Sequence, residues 1–189
     1  TRAVSETTKN LGKVAPDWTM GISNTLRYRN LSLSFLIDVR YGGVMYSGTV
    51  SDLRVNGMAE ETIGKNRTDI VDKGVKQDGT ENTTAITPYQ FWSNNYSSKV
   101  SEANVFDATF VKLREMVLSY QMPQRWFKNC FIGSLALGVE GRNLWLMKSN
   151  VPHIDPETNI FGPSAVGSGV EYSAIPTTRS WGFNIKLTF

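Results

Sequence analysis

The chain has 189 residues and a net charge of +3, from 20 basic and 17 acidic residues, with a single cysteine and a single histidine. The basic residues are scattered among acids and amides without a Lys/Arg run, which excludes a nucleic-acid footprint. Cys130 and His153 are too few for an internal disulfide, an N/S zinc site or a thiol enzyme, so neither metal nor cofactor is expected.

No apolar run approaches the roughly 20 residues of a transmembrane helix. That leaves a membrane strand open, because alternation of apolar and polar residues keeps mean hydropathy low. The observed mean hydropathy of -0.26 fits a soluble protein and a barrel equally.

The first element spans Asp17 to Arg29. Trp18, Met20, Ile22, Leu26 and Tyr28 occupy alternate positions, with Asn24 the exception, and small or polar residues fill the others. Period two means strand. Asn30 makes a tight turn into a second strand, Leu31 to Tyr41, with Leu31, Leu33, Phe35, Ile37, Val39 and Tyr41 on one face. The two read as a hairpin. Gly42 and Gly43 then permit a bend.

Ser47 to Ala108 follows as a long segment rich in Gly, Asn, Ser, Thr and Asp. Its Glu60–Glu61 pair reads as solvated charge in polar loop sequence. Near its end Tyr89, Phe91, Trp92 and Tyr96 cluster around Asn94 and Asn95. Rings beside amides suit a ligand or a partner protein; equally, they suit a loop packing its own small core.

A third strand runs from about Thr109 to Met122, with Met116, Leu118, Tyr120 and Met122 sharing a face. Its first half, Lys112 to Glu115, breaks the alternation, as a bulge would. Pro123 ends it. A short connection, Gln124 to Asn129, leads to a fourth strand, about Phe131 to Met147, whose phase is lost after Gly141. Lys148 to Pro176 is the second long segment. It carries His153, Asp155, Glu157 and Asn159, where Pro152 and Pro156 favour an extended turn over a metal site.

The last segment, Thr178 to Phe189, alternates most cleanly. Trp181, Phe183, Ile185, Leu187 and Phe189 share one face, and nine residues match the 9–11 that span a bilayer as a tilted strand. Short turns and long segments alternate along the chain. Outer-membrane barrels sort their connections this way, with short turns in the periplasm and long loops outside.

Several stretches resemble the C-terminal region of SusC/RagA-type TonB-linked outer-membrane proteins of the Bacteroidetes. They are GKVAPDWTMGISNTLRYRNLSLSFLIDVRYGG (Gly12 to Gly43), NVFDATFVKLREMVLSYQMP (Asn104 to Pro123), GRNLW (Gly141 to Trp145) with DPE at Asp155 to Glu157, and the closing PTTRSWGFNIKLTF. The resemblance implies an all-β fold. Residues 1–189 would form about five C-terminal strands of an antiparallel transmembrane β-barrel of about 22 strands, with long extracellular loops. The plug and the TonB box would lie outside this chain, making it a fragment or a separate subunit.

The implied function is nutrient import across the outer membrane, of an oligosaccharide or a peptide. The implied partners are a SusD-like surface lipoprotein, TonB, the barrel-assembly machinery and outer-membrane lipids. Trp181, Phe183, Ile185, Leu187 and Phe189 would carry the C-terminal assembly signal, and Tyr89, Phe91, Trp92 and Tyr96 would contact ligand or lid. Arg27, Arg29, Arg40, Arg114 and Arg142 are candidate lumen or rim charges. No Ser-centred elbow, His-backed nucleophile or Gly-rich phosphate loop points to an enzyme. The alternative reading is a secreted glycan-binding β-sandwich, in which Trp18, Phe183 and Leu187 would face a core.

Overall fold

The computed structural model describes residues 2, 3, 5, 7–64, 68–97, 99–128, 131–160 and 168–189. Asn129 and Cys130, at the end of the second short connection, lie outside the described residues. In chain order the strands are β1 (Trp18–Tyr28), β2 (Leu31–Tyr41), β3 (Val44–Ser47), β4 (Ile70–Val71), β5 (Ala85–Ile86), β6 (Val105–Asp107), β7 (Phe110–Gln121), β8 (Ser134–Ser149), β9 (Val170–Glu171) and β10 (Ser180–Thr188). Two α-helices, α1 (Gly48–Val55) and α2 (Pro88–Tyr96), interrupt them. The chain divides into two compact units.

One unit comprises Pro16–Gly42, Ala108–Asn150 and Thr177–Phe189. It is a five-stranded antiparallel sheet in the order β1-β2-β7-β8-β10. Residues paired across antiparallel strands share a face, so the register sorts side chains into rows. One row reads Tyr28, Leu31, Tyr120, Leu137, Ile185; the next reads Leu26, Leu33, Leu118, Val139, Phe183; a third reads Asn24, Phe35, Met116, Gly141, Trp181. Only Asn24 breaks their apolar character.

The opposite face carries Arg27, Ser32, Ser119, Gly138, Asn184 in one row and Thr25, Ser34, Val117, Glu140, Gly182 in another. The sheet is therefore apolar on one side and largely polar on the other. Two of its glycines are demanded by neighbours. A Cβ on Gly141 would lie 3.0 Å from the Trp181 ring, and one on Gly138 would collide with the Asn184 amide.

The two short turns lie at the same end of this sheet. At the first, Arg29 takes a positive φ of 53°, and Asn30 donates through Nδ2 to the Gln121 carbonyl at 2.6 Å, tying the hairpin to β7. At the second, Pro123 leads into a short 3-10 turn, Gln124–Trp126. Both long connections leave from the other end. There Gly42 and Gly43 adopt φ values of 75° and 82°, which a side chain would strain.

The irregularity expected at Lys112 to Glu115 is a bulge. Pairing to β2 jumps from Leu36↔Glu115 to Ile37↔Leu113, so Arg114 is the extra residue of the bulge. Pairing to β8 shifts at the same place, from Leu113↔Trp145 to Glu115↔Arg142. This explains why the phase of the fourth strand is lost after Gly141. That strand starts at Ser134, later than the sequence suggests, and runs on to Ser149.

The other unit comprises Thr1–Ala15, Gly43–Asp107 and Val151–Pro176. The long segments thus fold into structure of their own. A three-stranded sheet has the order β6-β3-β9, with β3 antiparallel to β6 and parallel to β9; β4 and β5 pair separately. Helix α1 is capped by Ser47, whose hydroxyl accepts from Val50 N. Helix α2 starts at a capping box, Thr87 with Gln90, and has Pro88 in its first turn. The core mixes Met45, Val50, Ala59 and Trp92 with buried Ser47, Ser51, Thr62, Asn95, Asn104 and Glu171.

Candidate functional site

The apolar face of the five-stranded sheet is open. Trp181, Phe183 and Ile185 are 63%, 86% and 67% exposed, and Trp18, Met20, Ile22, Leu26, Leu118, Val139 and Leu187 are exposed as well. Monomeric soluble proteins rarely display so large a contiguous apolar patch. Aromatic pairs mark its two ends. Trp18 stacks on Tyr41 at 5.2 Å, and Phe131 stacks on Phe189 at 5.7 Å with an interplanar angle of 2°. Both outer strands, β1 and β10, have unpaired edges within this sheet.

The polar face holds several of its charges in pairs. Arg114, on the bulge, is bonded to Asp38 and donates through Nη1 to Asn143 Oδ1 at 3.2 Å. Arg142 lies 3.8 Å from both Glu115 and Glu140. Lys112 is buried and donates to Thr177 Oγ1 at 3.2 Å. Arg29 instead sits over the Tyr28 ring.

In the loop unit α2 gathers three of the four candidate rings. Phe91, Trp92 and Tyr96 pack on one another with centroids 4.8–5.9 Å apart. Trp92 is only 5% exposed, whereas Tyr89, one turn earlier, is 65% exposed. The three packed rings line one wall of a cavity of about 430 Å³, shared with Thr68, Asp69 and Ile70.

Sequence reasoning overlooked the hub beside them. Arg54 of α1 donates through Nε to Glu61 at 2.6 Å and through Nη1 to the Ala103 carbonyl at 2.7 Å, and its guanidinium lies over Tyr96 and Phe106. His153 Nε2 lies 2.7 Å from the other Glu61 oxygen, so an ionised carboxylate there accepts from the ring. Burial by itself pushes the Glu61 carboxyl up. The bonds from Arg54, its own backbone and His153, with the charge of Arg54, outweigh this and bring it to about 2. Glu61 is therefore a structural ion, not the solvated charge its polar surroundings suggest. Asp155, which with His153 was weighed for metal, instead accepts from the backbone N–H of Glu157. Among the described residues no cluster of three or more His, Cys, Asp or Glu is placed to hold a metal.

A buried acid, Glu171, organises the start of α1. It is 1% exposed and accepts from Ser47 Oγ and Thr49 Oγ1, each at 2.6 Å, and from Ala174 N at 3.2 Å. Ser47 and Thr49 lie more than 120 positions from Glu171, which is why no local pattern announces the pairing.

No family model matches the chain. Two curated proteins of Formosa agariphila do. TonB-dependent receptor P3 is 25% identical over 185 residues, and TonB-dependent receptor P26 is 26% identical over 182 residues. The matches cover 96% and 95% of this chain but only 17% and 18% of the two receptors. This chain resembles the C-terminal barrel region of SusC/RagA-type TonB-dependent receptors. Among solved structures, the RagAB peptide importer in its closed-closed state superposes with a TM-score of 0.57 at 19% identity, over 93% of this chain and 18% of that one. The open-open state gives the same TM-score at 18% identity, over 93% of this chain and 17% of that one. The SusC/RagA-like chain therefore shares the fold of the matched region, mostly antiparallel β-strand with few helices, as the sequence motifs imply.

Proposed function

We propose that this chain supplies wall strands and outer loops to a TonB-dependent transporter of the bacterial outer membrane, which imports an oligosaccharide or a peptide. The two-faced sheet carries this reading. An apolar face at this exposure needs a nonaqueous neighbour, and lipid is the one that a strand of 9–11 residues is built to match. The free edges of β1 and β10 fit a sheet continued by further strands to about 22, which would close the barrel. The polar face, with its paired charges, then lines the lumen.

Plug and TonB-contacting segment belong to other parts of such a receptor. A SusD-like lipoprotein would cover its outer opening, and the long connections, leaving the end opposite the short turns, would be extracellular. Within them Tyr89 is the ring free to touch ligand or lid, held by the packed Phe91, Trp92 and Tyr96. Trp181, Phe183, Ile185, Leu187 and Phe189 would form the edge read by the barrel-assembly machinery through strand augmentation.

The test places nitroxide labels at Trp18, Ile22, Phe183 and Ile185 of the full-length protein in lipid. Labels on these positions are expected to be accessible to oxygen and shielded from water-soluble quenchers, with Ser23 and Asn184 showing the reverse. Water-accessible labels on the apolar rows would overturn the reading. Burial of the same rows against protein in a lipid-free preparation would favour a β-sandwich.

A further inference from the structure

We propose that the short-turn end of the sheet is a binding surface for the headgroups of anionic phospholipids. The inference rests on the membrane reading above and extends it to a particular lipid chemistry. Charge is divided unevenly along the strands. The stretches nearest the short turns, residues 26–33, 118–139 and 183–189, bounded by the row Leu26, Leu33, Leu118, Val139, Phe183, contain the cations Arg27, Arg29, Arg125, Lys128 and Lys186 and no acidic side chain. The carboxylates of the sheet unit, Asp17, Asp38, Glu115 and Glu140, all lie on the far side of that row.

The β7–β8 turn concentrates the effect. Arg125 and Lys128 are exposed and form no ion pair with any described residue. They line a cavity of about 640 Å³ together with Phe127, Phe131 and Phe189. Exposed Trp126 stands beside them, and exposed Tyr28 repeats the arrangement beside Arg29 at the other short turn. Cations next to aromatic rings, at the border of an apolar band, match a phosphate whose acyl chains continue over the band. A soluble anion would use the cations and leave the rings idle. A protein partner would need acids facing an edge that already borders lipid. Continuity with the apolar rows therefore selects the membrane's own phospholipid.

The experiment uses the full-length transporter in lipid nanodiscs, with phosphatidylglycerol carrying a photoreactive group on its headgroup and adducts mapped by mass spectrometry. Adducts are expected on residues 124–128 and on Phe131. Each cation near an anionic surface strengthens attraction about fivefold. The R125Q/K128Q double variant is thus expected to lose about tenfold or more of the adduct at this turn. Headgroup-labelled phosphatidylcholine is expected to label wild type weakly. Added salt should weaken the wild-type signal, a readout that stands if the variant does not fold. Equal adducts from both lipids, or a yield unchanged by the double substitution and by salt, would overturn the proposal. An acyl-chain photoprobe supplies the control. Its adducts on Trp181, Phe183 and Ile185 report that the sheet faces lipid at all, and their loss would sink the barrel reading instead.

Discussion

The two units of this chain invert each other's solution to burial. The sheet leaves its large apolar side chains exposed and holds several charges on the other face in pairs. The loop unit buries Glu171, Asn104, Thr62, Ser47 and Ser51 along with its apolar residues, and almost every buried polar group there has a named partner. A solvated unit must hide apolar surface and can hide polar groups only when they are hydrogen-bonded. A sheet bordering hydrocarbon needs no apolar core behind its outer face. The contrast is what the proposed membrane reading expects of two units that face different solvents.

The largest tests break the loop unit from within. Arg54→Ala would leave Glu61 partly buried with its main partner gone, an expected loss of about 3–5 kcal/mol. Trp92→Ala would open a cavity among Phe91, Tyr96 and the α2 backbone, with a cost of about 3–5 kcal/mol. In the full-length protein both variants should show rapid proteolysis of the loop segments while the barrel keeps its heat-modifiable migration on gels. Loops that resist protease in both variants would mean that the hub is dispensable.

A charge on either face of β10 compares the two environments directly. Phe183→Arg is expected to cost about 2–4 kcal/mol in refolding into lipid, and Asn184→Arg on the neighbouring position close to nothing. Equal costs would erase the distinction between the faces. Smaller still is the expected effect at the exposed ring. Tyr89→Ala should weaken ligand or lid-protein binding by about 1–3 kcal/mol, measured by titration, with no change in loop stability. A stability loss without an affinity loss would reassign Tyr89 to packing.

The subtlest contrast is with pH. Glu61 has its carboxyl at about 2 in the folded unit against an ordinary 4.5. The unfolded chain therefore takes up the proton first. The stabilisation is complete above about pH 4.5 and drains away as pH falls toward 2. Hydrogen-exchange protection at residues 52–62 and 151–154, taken relative to the intrinsic amide rate at each pH, should fall across that window, and Glu61→Gln should flatten the response. Wild-type protection that does not change with pH would show that the ion pair contributes nothing.

Much of the sheet was legible from residue order. The strand from Leu31 to Tyr41 has the bounds its alternation predicts, and the break at Lys112 to Glu115 is the bulge that aims Arg114 at Asp38. The loop unit was not legible. Its helices are nine residues or fewer with weak periodicity, and its strands of two to four residues show no alternation to read. The aromatic cluster was visible as composition, but its division into packed Trp92 and exposed Tyr89 was not.

What residue order determined is whatever depends on neighbours two apart: strand identity, the face each side chain takes, where turns fall, and the family resemblance those patterns carry. Period two is a local property of extended backbone, so it survives without knowledge of the partner strand. Tertiary structure alone decided which strands meet and which distant groups pair. The register that lines Leu26, Leu33, Leu118, Val139 and Phe183 into one row, and the meeting of Arg54 with Glu61 and His153, join residues that sequence proximity does not link. The two partners of Glu61 lie seven and 92 positions from it, and only the folded backbone brings their charges within hydrogen-bond reach.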